Sequence, residues 1–174
     1  MAGASGPTVE APSPEALSLE ALSLDALSFD ALSFDALGPD RLYELLALRQ
    51  RVFVVEQRCA YLDADGKDQE AVHVLGRAGG VLVACARVLG PGVSFEEPAI
   101  GRVIVAPEWR GRGVSRLVMR TAIDAARATH GDRPLALSAQ AHLVDLYAGL
   151  GFVARGEIYD EDGIPHLDMV RGAD

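Results

Sequence analysis

The stretch Arg110-Gly111-Arg112-Gly113 has the residue types and spacing of an anion site. Glycines at 111 and 113 let the backbone approach a ligand with no Cβ in between. An apolar run ends just upstream at Val105, and helical spacing starts at Val114, so the four residues fall at the beginning of a helix. The first amides of a helix have no intrachain acceptor, and the helix dipole favours an anion in front of them. Arg110 and Arg112 add positive charge, with Arg116 and Arg120 one and two turns further on. Strand, glycine turn and helix together make a cradle for a pyrophosphate. No Gly-Lys-Ser/Thr follows, so this is not a Walker loop. The third glycine of the dinucleotide fingerprint is also missing. Taken alone, a Gly-x-Gly reads more readily as a surface turn carrying arginines.

The elements that must position this cradle follow from periodicity. Leu42, Leu45, Leu46 and Arg49 fall at helical spacing after Pro39, which suits a first turn. Val52–Val55 extend that helix or begin a loop. A polar stretch over 58–70 carries Asp63, Asp65, Asp68 and Glu70. Its acidic alternation is calcium-like but lacks the glutamate at loop position twelve, so it reads as a solvated loop that could also attract a cationic amine. Ala71–Arg77 and Val81–Leu89 read as strands of a hairpin through Ala78-Gly79-Gly80, and Ala99–Val105 as a third strand stopped by Pro107. The helix from Val114 to about His130 places Val114, Leu117, Val118, Thr121, Ala122 and Ala125 on one face. A buried strand over Leu135–Ala139, a short helix over Ala141–Leu150 and a hairpin turning at Asp162-Gly163 complete the chain. The layout is α/β, mixed, with a central sheet and flanking helices.

Upstream lies a five-residue repeat. It runs Glu15-Ala-Leu-Ser-Leu, Glu20-Ala-Leu-Ser-Leu, Asp25-Ala-Leu-Ser-Phe, Asp30-Ala-Leu-Ser-Phe and Asp35-Ala-Leu-Gly-Pro. A period of five makes no stripe on a helix, and on a strand it sends the leucines to alternate faces. The expected division is a low-complexity acidic tail over 1–29 and a folded domain over 30–174. The last copies supply a first strand over Ser33–Leu37 that ends at Gly38-Pro39.

The chain has 174 residues and a formal charge of −9. Seven of the acids lie in residues 1–40, which hold no Lys or Arg, so the body is nearly neutral. An acidic chain argues against nucleic acid as a partner. No apolar run is long enough for a membrane span and no secretory signal is visible, so a cytoplasmic protein is expected. Two cysteines, Cys59 and Cys85, are too few for a disulfide scaffold or a cysteine-built metal site, and no metal is expected.

Val103-Ile-Val-Ala-Pro-Glu-Trp-Arg-Gly-Arg-Gly-Val-Ser115 resembles the acyl-CoA-binding motif of the GNAT N-acetyltransferases, Arg/Gln-x-x-Gly-x-Gly/Ala. Leu146-Tyr147 followed by Gly151-Phe152 resembles that family's second motif. The resemblance covers about residues 33–171. Leu42–Arg49, Val52–Gln57, Gln140-Ala-His142 and Asp160–His166 resemble the ElaA-like branch of the family. The resemblance implies the GNAT fold, with a mostly antiparallel sheet, and acetyl-CoA as the acyl donor. It implies that backbone groups of Val103, Ile104 and Val105 pair with the pantetheine arm. Backbone amides over Gly111, Arg112, Gly113, Val114, Ser115 and Arg116 would hold the pyrophosphate. Tyr147 would stand near the thioester sulfur and protonate the departing thiolate.

Two positions depart from the family pattern. Ser115 replaces the final Gly or Ala of the motif. Gln140 stands where an Asn is common, in a chain with no Asn at all. A protonated amine must lose a proton before it attacks, and Glu56, His73 and His142 are candidate bases. Glu56 follows an apolar run where burial would raise its pKa, while His73 lies mid-strand, and His166 reads as structural.

The expected reaction is direct transfer of an acetyl group from acetyl-CoA to a primary amine of a small molecule or peptide, by a monomer or homodimer. Backbone N–H groups of the third strand would polarise the carbonyl. One rival is an enzyme like the acyl-homoserine-lactone synthases, which Arg49-x-x-Val52-Phe53-x-x-Glu56 faintly resembles. The other is a non-catalytic acyl-CoA sensor or interaction module.

Overall fold

The structure, a computed structural model, describes residues 24–174, so the acidic tail lies outside the described residues up to residue 23. Seven strands form one sheet in the order β1-β2-β3-β4-β5-β7-β6. They are β1 (Leu27–Ser33), β2 (Val72–Ala78), β3 (Val81–Leu89), β4 (Ala99–Val105), β5 (Leu135–Gln140), β6 (Phe152–Glu161) and β7 (Ile164–Arg171). The helices are α1 (Phe34–Arg49), α2 (Val114–His130) and α3 (Val144–Ala148). Every neighbouring pair is antiparallel except β4 and β5. This is the mixed, mostly antiparallel sheet with flanking helices that the sequence predicts.

The first strand differs from expectation. It occupies Leu27–Ser33 rather than Ser33–Leu37, and crosses the expected boundary between tail and domain. Phe34 already starts α1, which kinks at Gly38 (φ 67°) before Pro39. The reason is packing. In this register Phe29 lies directly over Gly76 of β2, with its Cε1 2.7 Å from where a Cβ would stand. The helix then continues past Arg49 as a π-helical segment, Gln50–Glu56, whose Val52 joins the core.

The sheet core is sealed by α2. Val118, Met119, Ala122 and Ala126 have no measurable exposure. Val114, Val118, Ala122 and Ala125 of the expected stripe are buried, but the buried face is turned towards Met119, Ile123 and Ala126, and Leu117 is exposed. Each large apolar side chain so buried contributes about 1.5–3 kcal/mol.

The pairing of β4 with β5 decides the site. The two strands run parallel and meet at one register pair, Ala99↔Ala136. Beyond it β4 follows β3 and β5 follows β7, so a seam opens between them towards Val105 and Gln140. A bulge in β4 accompanies the divergence. The register against β3 shifts between Cys85 and Arg87, and Arg102 takes φ 51°.

Candidate active site

The seam is flanked by the two elements that follow its strands. β4 leads through Pro107–Trp109 and the glycine turn into α2, and β5 leads into α3. Gly113 caps α2 in a left-handed conformation (φ 80°), without a side-chain cap, and no acid occupies the first turn. Gly111 is also left-handed, and a Cβ on either glycine would meet no protein atom. The turn thus leaves room for a ligand in front of the helix dipole, and of the first-turn amides that of Arg116 donates to the Gly113 carbonyl at 3.1 Å.

The arginines around this turn differ in their freedom. Arg110 donates to Glu56 at 2.7 and 3.0 Å and to the Val105 carbonyl at 3.0 Å, so its charge is neutralised. Arg112 lies over the Trp109 ring at 5.1 Å. Arg116 and Arg120 are exposed, and the Arg116 guanidinium rests against Gly149 at the end of α3. Val103 and Val105 are half-buried along the seam, Ile104 points into the core, and Ser115 is half-buried in the first turn of α2.

On the other side of the bulge the seam opens into a cavity of about 540 Å³. Tyr147 lines it from α3, almost fully buried and edge-on to Phe152 at 6.3 Å. Burial pushes its hydroxyl up to about 12. Gln140 lines the same cavity and donates to the Gln57 side chain at 3.4 Å, linking β5 to the end of the π-helical segment. Val103 reaches it too.

The expected bases fall elsewhere. Glu56 is exposed and bound to Arg110, because the π-helical segment carries it to the outside. His73 is sealed in β2, and its Nε2–H donates to the Asp68 carbonyl at 2.9 Å, leaving Nδ1 without a partner. Burial holds it below the usual histidine range, and it does not line the cavity. His142 is exposed. The histidine in the cavity wall is His166. Its Nδ1–H donates to the Ile164 carbonyl at 2.8 Å, which leaves Nε2 as the acceptor nitrogen, and its ring stacks on Tyr159.

The acidic loop is not solvated. Asp63 and Asp68 are buried, and three arginines from three elements converge on the loop. Arg49 donates to Asp63 and Asp68, each at 2.7 Å. Arg87 donates to Asp65 at 2.7 and 2.8 Å and to Asp68 at 2.9 Å. Arg102 donates to Asp63 at 2.7 Å. Burial alone would raise the Asp65 and Asp68 carboxyls, but the guanidiniums reverse this and hold both below the usual carboxylate range. Asp63, Asp65 and Asp68 are thus engaged by arginines, while Glu70 at the end of the loop is exposed. Arg102 completes its surroundings with two rings, 5.7 Å from the Phe53 centroid and 5.4 Å from that of Tyr61. Among the described residues no group of three or more acidic, His or Cys side chains is placed to hold a metal, and no helix is long and apolar enough to cross a membrane.

Comparison with known proteins agrees with this geometry. The sequence profile of the "Acetyltransferase (GNAT) domain" matches residues 51–172. Protein ElaA of Escherichia coli K12 is 44% identical over 133 residues, 75% of this chain and 87% of its own. A UPF0039 protein of Synechocystis is 43% identical over 132 residues, 75% of this chain and 86% of its own. The crystal structure of E. coli ElaA superposes with a TM-score of 0.79 at 41% identity, covering 83% of this chain and 99% of that one. An acyl-CoA N-acyltransferase from Pseudomonas aeruginosa superposes with the same score at 40% identity, covering 84% and 99%. The chain belongs to the GNAT acyltransferase family, in the branch that includes ElaA.

Proposed function

We propose that the protein transfers an acetyl group from acetyl-CoA to a primary amine by direct attack. The single observation that carries this is the seam. β4 lines, at Val103, the cavity that holds the buried Tyr147, and leads at its other end into a helix N-terminus fit for a pyrophosphate. The backbone of Val103–Val105 has no strand partner on the seam side among the described residues, so it can pair with an extended arm as an added strand would. The bulge at Arg102 turns backbone groups of β4 towards the place where a carbonyl oxygen gains charge during attack.

The proton bookkeeping is local. His166 Nε2 takes the proton from the arriving ammonium. The neutral amine attacks the acyl carbon, the C–S bond breaks, the Tyr147 hydroxyl donates its proton to the thiolate, and the second proton shed by the nitrogen as the amide forms returns to the Tyr147 oxygen. Tyr147 stays protonated at neutral pH because burial pushes it up to about 12.

The test is thermal unfolding with acetyl-CoA and with CoA, followed by thiol release over a panel of amines. A ligand at 100 times its Kd adds about 2.7 kcal/mol of stability. No shift at millimolar acetyl-CoA overturns the acyl-CoA reading. A shift without thiol release from any amine favours a sensor over an enzyme.

A further inference from the structure

Resting on the acyltransferase reading, we propose that the acceptor is a free amino acid or a close analogue: a primary amine that also carries a carboxylate. Arg102 and Lys67 seat that carboxylate.

The cavity is lined by Lys67, Arg87 and Arg102 together with Asp65, and donors remain unused there. Arg87 is spoken for, since both of its terminal nitrogens are bound to Asp65 and Asp68. Arg102 is held but not saturated. Its Nε is fixed by Asp63 at 2.7 Å and its Nη2 lies 3.4 Å from Asp65, while Nη1 has no hydrogen-bond partner among the described residues. Nη1 is not one of the sealed, unpartnered atoms either, and Arg102 lines the cavity. Phe53 and Tyr61 line the cavity too and flank the guanidinium. A planar cation held along one edge by an acid, and against two rings, presents its remaining edge in a fixed direction. That is how guanidinium recognises carboxylate. Lys67 lines the same cavity, and its ammonium donates to Ser94 at 3.0 Å with no carboxylate partner among the described residues.

The same cavity also carries carboxylates. Glu161 and Asp162, at the turn between β6 and β7, line it together with His166. An ammonium is drawn to them, where Nε2 of His166 can take its proton, while a carboxylate is drawn to Arg102 and Lys67. A zwitterion satisfies both sets of charges at once. A peptide N-terminus or a polyamine satisfies only one. A volume of about 540 Å³ lies within the range of about 300–1,000 Å³ usual for small-molecule sites.

The experiment uses the full chain and matched acceptors: phenylalanine against phenethylamine and phenylalaninamide, and leucine against 3-methylbutylamine. Thiol release from acetyl-CoA is measured for each, and binding of the N-acetylated forms is measured by calorimetry with CoA present. The amino acid is expected to exceed its decarboxylated and amidated partners about 10- to 100-fold in kcat/KM, as a charge-assisted contact allows. Lys67→Met and Arg102→Lys are each expected to shrink that ratio. Lys67 holds only a surface serine, so its variant remains informative if the Arg102 variant fails to fold. If acetyl-CoA gives no thermal shift, the acyltransferase reading itself falls. If the cofactor binds but the carboxylate-free amines react as well, or the N-acetyl amino acids bind no tighter than the N-acetyl amines, the carboxylate site alone is overturned.

Discussion

In the proposed reaction Tyr147 and His166 divide the proton transfers between them, and their variants should fail differently. Tyr147→Phe removes one oxygen from a buried ring edge-on to Phe152 and leaves the packing in place. It is expected to lower kcat about 100-fold while leaving the Kd for acetyl-CoA unchanged, read by steady-state kinetics and calorimetry. Equal activity in the variant removes Tyr147 as the acid. His166→Gln keeps a donor for the Ile164 carbonyl but has no basic nitrogen. It is expected to lower kcat/KM about 10- to 100-fold at neutral pH and to recover as pH rises, because more of the amine then arrives deprotonated without help. A loss that is the same at every pH removes His166 as the base. Tyr147 was legible from its motif. His166 was not, because nothing in its local sequence separates a hairpin histidine from a cavity histidine. The fold alone brings β7 beside β5.

Individual strands and helices follow their periodicity closely wherever one face is buried, as in α2 and the β2–β3 hairpin. β1 does not, because its neighbours in sequence are near copies of it. Local preference cannot choose among them, and the choice is made by Phe29 over Gly76. Gly76→Ala is therefore expected to cost about 1–3 kcal/mol in urea unfolding and to speed amide exchange in β1 ahead of β3. A Cβ there would meet Phe29 at 2.7 Å and the Ala84 Cβ at 3.1 Å. Unchanged exchange in β1 would remove that contact as the device that sets its register. The acid–arginine cluster was also half legible. Arg49, Arg87 and Arg102 each interrupt an apolar run, and a cation inside such a run implies a buried partner. The acids at 63, 65 and 68 are those partners, but pairing them across three elements needs the sheet.

At the scale of the whole molecule this cluster ties α1, the loop, β3 and β4 together, so it should set the acid limit of stability. Asp65 and Asp68 titrate lower in the folded protein than in the unfolded chain. Their contribution is thus complete above the ordinary carboxylate pKa of about 4 and is lost as pH falls through their folded values. Urea unfolding should show a steep fall below about pH 4. Asp68→Asn should lower stability at pH 7 by about 3–5 kcal/mol, since Arg49 and Arg87 lose a shared buried partner, and should flatten the acid slope. An unchanged slope would sink the assignment. The edge strand has a consequence of another kind. Removing Leu27–Ala31 brings Leu22-Ser23-Leu24-Asp25-Ala26 against Leu32-Ser33, which restores the strand with Leu in place of Phe29 as its one change. That chain is expected to melt only about 2–4 °C lower. Removing Leu27–Asp30, one residue fewer, sets Asp25 over Gly76 and should cost far more. Copying errors in the gene that drop one whole period would thus cost the fold little, because the period of five keeps the next copy in step with the strand.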